Sequence, residues 1–269
     1  MAAEELRLLW DGTLRQSHAV SRSHFFDAYV ALAVHTTRTR TENWESLVEL
    51  LSEYATLDEV VAIGETGISL QTAGDADPWT LKEQRMVVGE QMRVARETGL
   101  PVLCHTPSDM KSNETAFIRS KTEGGHDHAP DAGSQAGDSL AAETAKRGAT
   151  EISVQIADDV GLPDEQLVID HASSQITPFV LESTGCYLSF SVGSTIHEVN
   201  IEAVADAIDR YGPDRILIDS DITGMAEINP FAMKEAILDL LRLGVSPADV
   251  RRVIYENPRE ILGLSDLPE

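Results

Sequence analysis

The chain has 269 residues, 42% of them hydrophobic, which is ample for a core and excludes wholesale disorder. Its 45 acidic residues against 21 Lys and Arg give a formal charge of −24, which argues against a broad basic nucleic-acid footprint. Such acidity suits a salt-adapted (halophilic) cytoplasmic proteome, where screening tolerates self-repulsion.

The first apolar run is "LRLLW", residues 6–10, a strand candidate, and Asp11 to Asp27 then reads as polar and irregular. "AYVALAV", Ala28 to Val34, is the next strand by length and composition. "TENWESLVELLSEY" has helical period, with Trp44, Leu47, Val48, Leu51 and Tyr54 on one face and Asn43 or Thr41 as cap. "VVAIG" is a strand, "PWTLKEQRMVVGEQMRVARETG" a long helix ended by Gly99, and "PVLCH" another strand.

Thr122 to Ser139 is rich in Gly, Ser, Asp and Ala without periodicity and reads as a flexible, exposed insertion. A helix from about Leu140 to Asp159 follows. Then come strand "QLVIDH", strand "CYLSFSV", helix "NIEAVADAIDRY", strand "RILIDS" and two C-terminal helices. Alternating strands and helices predict an α/β fold with a parallel sheet, closed as a barrel or open and doubly wound. The length suits one barrel domain spanning 1–269. Cys104 and Cys186 both lie in apolar runs, so reduced buried thiols are expected. No run approaches transmembrane length and "MAAEELRLLW" lacks the order of a signal peptide, which points to the cytoplasm.

Four apolar strands finish on side chains able to bind metal or move protons: Glu65, His105, Asp170–His171, and Asp219 with Asp221. In a parallel barrel all strand C-termini point to one face, so Glu65, His105, His171 and Asp221 would converge there. Imidazoles and carboxylates suit a divalent ion, Zn²⁺ first and Mn²⁺ or Mg²⁺ less so as histidines accumulate. Taken singly, each residue has a plainer role. Glu65 reads as a turn residue, His105 as a buried ring bonded to a carbonyl, and Asp170 and Asp219 as helix caps. The joint pattern favours the metal.

These residues resemble the TatD-like metal-dependent hydrolases of the amidohydrolase superfamily. "VAIGETGIS" is similar to the family signature I-G-E-x-G, and "ARETGLPVLCHTP" to the segment that ends in a metal-binding His. "VIDH", "ILIDSD" and "NPREILGL" resemble the next His strand, the strand of the catalytic Asp and the closing Asn-Pro segment. Archaeal TatD-related proteins are the nearest group. The resemblance implies a TIM-like (β/α) barrel and one or two divalent ions. It implies Glu65 as bridging ligand, His105 and His171 as ligands of one ion, and Asp221 as ligand of the other and orienter or base for the attacking water. Asp219 stands where the family often has Glu, which implies a supporting role.

The family opens with a strand carrying His-x-His, and no such pair precedes Leu32. His18 and His24 are wrongly spaced, and His126 and His128 lie in the Gly-rich insertion. Counting "LRLLW", seven strand candidates are present and the missing one is the first. Either the reading frame starts upstream of Met1 or the site is degenerate. The function expected is a metal-dependent hydrolase cleaving a phosphodiester or another ester or amide bond, a deoxyribonuclease being one version. The alternative is a catalytically impaired barrel kept for binding or structure. The substrate is then a small molecule or a phosphodiester, with nucleic acid disfavoured by charge. His197, after the "SFSV" strand, is either a substrate contact or a helix-cap residue.

Overall fold

The computed structural model describes residues 2–24, 26–36, 43–70, 79–107, 135–193, 200–222 and 229–264, with only the backbone of 135–144. Its centre is one six-stranded sheet. The strands are β1 (Val30–Leu32), β2 (Val60–Gly67), β3 (Val102–His105), β4 (Leu167–Ile169), β5 (Tyr187–Ser191) and β6 (Ile216–Asp219). Neighbours pair in parallel and in chain order, so the sheet curls as part of a (β/α) barrel with helices outside. The helices are α1 (Ala3–Ser23), α2 (Trp44–Tyr54), α3 (Leu81–Thr98), α4 (Gln135–Val160), α5 (Thr177–Ser183), α6 (Ile201–Tyr211) and α7 (Ala232–Arg242). After α8 (Pro247–Arg251) the chain makes a π turn and then α9 (Asn257–Ile261). No helix among the described residues is long and apolar enough to cross a membrane.

The period of two along each strand sorts side chains to two faces. Val102, Cys104, Leu167, Ile169, Leu188, Phe190, Ile216 and Ile218 join the main core with the surrounding helices. Alternate residues Leu103, Val168, Tyr187 and Leu217 form a smaller apolar cluster closed by Ile261. One step further along the same faces stand His105, Asp170, Ser189 and Asp219. Thus the inner face changes from apolar to polar as the strands approach their C-terminal ends, and that polarity is what makes a site there.

Three expectations from sequence are corrected. "LRLLW" is no strand, and Asp11 to Ser23 is not irregular: both belong to α1. Leu6, Trp10 and Ser17 are buried at helical spacing while Leu8 and Leu9 are 69% and 57% exposed, so the apolar run is one stripe plus two solvent-facing leucines. Trp10 meets Tyr54 edge-on at 5.2 Å, and the Ser17 hydroxyl donates to the carbonyl of Ala28, which docks α1 beside β1. Six strands rather than seven are therefore present among the described residues. The insertion read at 122–139 is also shortened: α4 starts at Gln135, and residues 122–134 lie outside the described ones. Asn43 stands at the N-cap of α2 but makes no side-chain cap bond. Thr80 caps α3 reciprocally with Glu83, as a capping box.

Candidate metal centre

Glu65 reaches the inner face through an irregularity in the ladder. Gly64 pairs with Leu103 and Thr66 with Cys104, so Glu65 has no opposite number and occupies a bulge. An extra residue of this kind re-aims a side chain at a sheet's rim. The Gly64–Glu65 peptide bond is cis. Two residues on, the backbones of β2 and β3 come so close that a Cβ on Gly67 would lie 2.2 Å from the carbonyl oxygen of His105. Only glycine fits there.

His105 ends β3, and His171 follows β4 by two residues. His171 has φ 56° and Asp221 φ 40°, a left-handed backbone that costs a non-glycine residue about 1–3 kcal/mol and persists where surroundings enforce it. The enforcement at His171 is visible. Its N–H donates to Asp170 Oδ1 at 2.7 Å, and the N–H of Ala172 donates to the carbonyl of Ser189 at 2.8 Å.

The heads of these residues meet. His171 Nε2 lies 3.2 Å from Glu65 Oε1 and 3.0 Å from His105 Nδ1. The other carboxylate oxygen, Glu65 Oε2, lies 3.8 Å from His105 Nδ1 and 3.7 Å from His35 Nε2. The ring centroids of His35 and His105 are 5.1 Å apart. Glu65 thus turns one oxygen to His35 and His105 and the other to His171. Asp221 approaches from the far side, 3.9 Å from His171 Nδ1.

Electrostatics divide the two inner carboxyls. Burial opposes ionisation of Glu65, but the neighbouring imidazoles of His171, His35 and His105 hold its carboxyl well below the usual range. Burial, reinforced by Asp219 and Glu65, pushes Asp170 well above it. A cation among these carboxylates would relieve that repulsion.

Two groups of donors stand close enough to share an ion: His35, Glu65 and His105, and Glu65, Asp170 and His171, each with ligand atoms within 4.8 Å of one another. Ligands about 2.05 Å from a tetrahedral ion stand about 3.3 Å apart. The contacts of 3.2, 3.7 and 3.8 Å within the two groups lie near that edge, so the residues fit a divalent metal. Of the residues singled out from sequence, Glu65, His105 and His171 come together, whereas Asp221 enters neither three-donor group and touches the cluster through His171.

His35 is the residue that sequence reasoning passed over. Its signal was present, since the apolar run "AYVALAV" ends on it as the other strands end on theirs. A search confined to His-x-His spacing hides a single histidine three residues beyond β1. Asp170 and Asp219 are not helix caps: Asp170 bonds the turn at His171, and Asp219 accepts from Ser189. His18 pairs with Glu59 at 2.7 Å, and His24 packs on Phe26 with ring centroids 5.5 Å apart. His126, His128 and His197 lie outside the described residues.

A family model described as TatD related DNase matches residues 11–263. An uncharacterized metal-dependent hydrolase of Methanocaldococcus jannaschii is 23% identical over 230 residues, 86% of this chain and 72% of the relative. Among solved structures, the TatD-like protein from Archaeoglobus fulgidus superposes with TM-score 0.53 at 21% identity, covering 87% of this chain and 71% of its own. The phosphotriesterase homology protein from Escherichia coli, complexed with phosphate in its active site, gives TM-score 0.58 at 15% identity, over 91% of this chain and 77% of its own. At these identities the structural likeness carries the barrel fold.

Proposed function

The chain belongs to the TatD family of metal-dependent hydrolases, and we propose that it cleaves a phosphoester, or another ester or amide bond, with a divalent ion held at Glu65. One observation carries the proposal: Glu65 presents each of its oxygens to imidazole nitrogens from different strand ends, 3.2 to 3.8 Å away. His35, Glu65 and His105 would hold one ion, and Glu65, His171 and Asp170 a second position. When bound, the metal supplies a Lewis acid and lowers the pKa of water towards neutrality, Zn²⁺ being favoured by the nitrogen donors.

The chain's own residues do the rest. Asp221, the orienter or base implied by the family resemblance, would accept a proton from the attacking water; its carboxylate lies 3.9 Å from His171 Nδ1. Hydrogen bonds at both ends of His171, from its N–H to Asp170 and between Nδ1 and Ser191, hold its ring in place. A phosphoester is the first choice of substrate, since the E. coli neighbour holds phosphate in its active site and the matching family is described as TatD related DNase. With a formal charge of −24, a small phosphoester suits the chain better than duplex DNA. An impaired barrel is the weaker reading because His35 supplies a nitrogen donor despite the lack of a His-x-His pair.

The test is hydrolysis of bis(p-nitrophenyl) phosphate, p-nitrophenyl acetate and a short oligodeoxynucleotide by protein loaded with Zn²⁺ or Mn²⁺, with Glu65→Gln as control. Turnover of at least one ester by wild type, absent from the variant, supports the proposal. Equal rates in the two proteins overturn it.

A further inference from the structure

Below His171 lies a short polar chain that the metal site itself does not account for. Ser191 Oγ is 2.8 Å from His171 Nδ1 and 3.4 Å from Asp219 Oδ2. Ser189 Oγ donates to the same Asp219 oxygen at 2.5 Å. Ser191 and Asp219 are direct partners in the β5–β6 register, and Ser189 stands two residues earlier on the same face. Ser191 is wholly buried and Ser189 nearly so.

Burying two hydroxyls inside a barrel is costly unless each is hydrogen-bonded. Their neighbours on β5, Leu188 and Phe190, pack outward into the main core, so the strand turns its polar side inward. The inner face is thus polar at this level, as it is at the ends of the neighbouring strands. Something on the inner face has to use these hydroxyls.

We propose that Ser191 is a positioning residue, which with Asp219 fixes the ring orientation and tautomer of His171 for metal binding. The inference rests on the metal site proposed above. His171 Nε2 faces Glu65 and His105, so that nitrogen would hold the metal and the ring proton would stay on Nδ1. Nδ1–H then donates to Ser191 Oγ, and the Ser191 hydroxyl is left to donate to Asp219. Asp219, accepting from both serines, sets the direction of the whole chain. Outer partners of this kind typically change metal affinity by about 10–100-fold.

The experiment measures Zn²⁺ affinity of wild type, Ser191→Ala and Ser191→Thr by competition with a chromophoric chelator. It adds ¹⁵N-histidine NMR of the zinc-loaded wild type. Ser191→Ala should bind Zn²⁺ about 10–100-fold more weakly. Ser191→Thr, which keeps the hydroxyl, should recover most of the loss. The NMR should show His171 protonated on Nδ1 alone. Unchanged affinity in Ser191→Ala, failure of Thr to rescue, or a proton on Nε2 in the wild-type spectrum would each overturn the inference. The last needs no variant and stands even where Ser191→Ala fails to fold. If wild type binds no Zn²⁺, the proposed function falls first. If wild type binds and Ser191→Ala binds equally well, only the role of Ser191 falls.

Discussion

Glu65 Oε1 stands 3.2 Å from His171 Nε2 while Oε2 faces His35 at 3.7 Å, so one side chain joins β1, β2 and β4 at the mouth of the half-barrel. Both three-donor groups share it. Glu65→Gln removes a charge from each group and leaves the shape nearly intact. Zn²⁺ affinity should fall at least about 100-fold, beyond the range seen for outer partners. Thermal unfolding gives an independent reading. A ligand at about 100 times its Kd stabilises the native state by about 2.7 kcal/mol. Wild type should show an upward shift on adding Zn²⁺ and lose it with chelator. Glu65→Gln should show neither.

His35 tests whether the histidine without a His-x-His partner is a ligand. It offers a ring nitrogen to the group with Glu65 and His105 and is absent from the group with Asp170 and His171. His35→Ala should therefore reduce metal stoichiometry or affinity at one position and spare the other. Elemental analysis of wild type and variant after equal loading makes the comparison. An unchanged metal content would place His35 outside the site.

The strand ends were legible because burial on the outer face demands apolar runs, and each run stops where the inner face becomes polar. Glu65, His105 and His171 stood out for that reason. Their mutual distances were not legible, since the bulge at Glu65 and the left-handed turn at His171 leave no mark in composition. The serines of "YLSFS" were hidden differently. Alternation shows two faces but not which one is inside, and the usual assumption puts polar residues outside. Helix α1 was missed because Leu6, Leu8, Leu9 and Trp10 crowd into one short apolar run that reads as a strand, while the turns after it are mostly polar.

Close packing of β2 on β3 makes Gly67 a sharp test of how the site is built. An added methyl would sit 2.2 Å from the His105 carbonyl oxygen, which is backbone and cannot swing away. Gly67→Ala should cost about 1–3 kcal/mol in urea unfolding and weaken metal binding as β3 is displaced. Gly89 on α3 is the contrasting position. A Cβ there meets Ile156 at 3.5 Å, ordinary contact, inside a helix where Ala is favoured over Gly by about 0.5–1 kcal/mol. Gly89→Ala should hold or gain stability. Similar losses in both variants would mean that close approach is not what singles out Gly67.

Cys104 immediately precedes His105, so sequence alone leaves it near enough to compete for a borderline metal. Its side chain belongs instead to the opposite face of β3, within the main core. Burial pushes its thiol up to about 12, against a lowering hydrogen bond from Ser153, and burial likewise pushes Cys186 up to about 12. Both folded values lie above the ordinary thiol range, so the neutral form is favoured in the native state, and little thiolate exists at pH 8. Ellman's reagent at pH 8 should find neither thiol reactive in native protein and both reactive in urea. Cobalt substituted at the site should show no thiolate charge-transfer band, because every donor there is nitrogen or oxygen. A rapidly reacting thiol in the native chain, protected on adding Zn²⁺, would put Cys104 among the ligands and break the face assignment of β3.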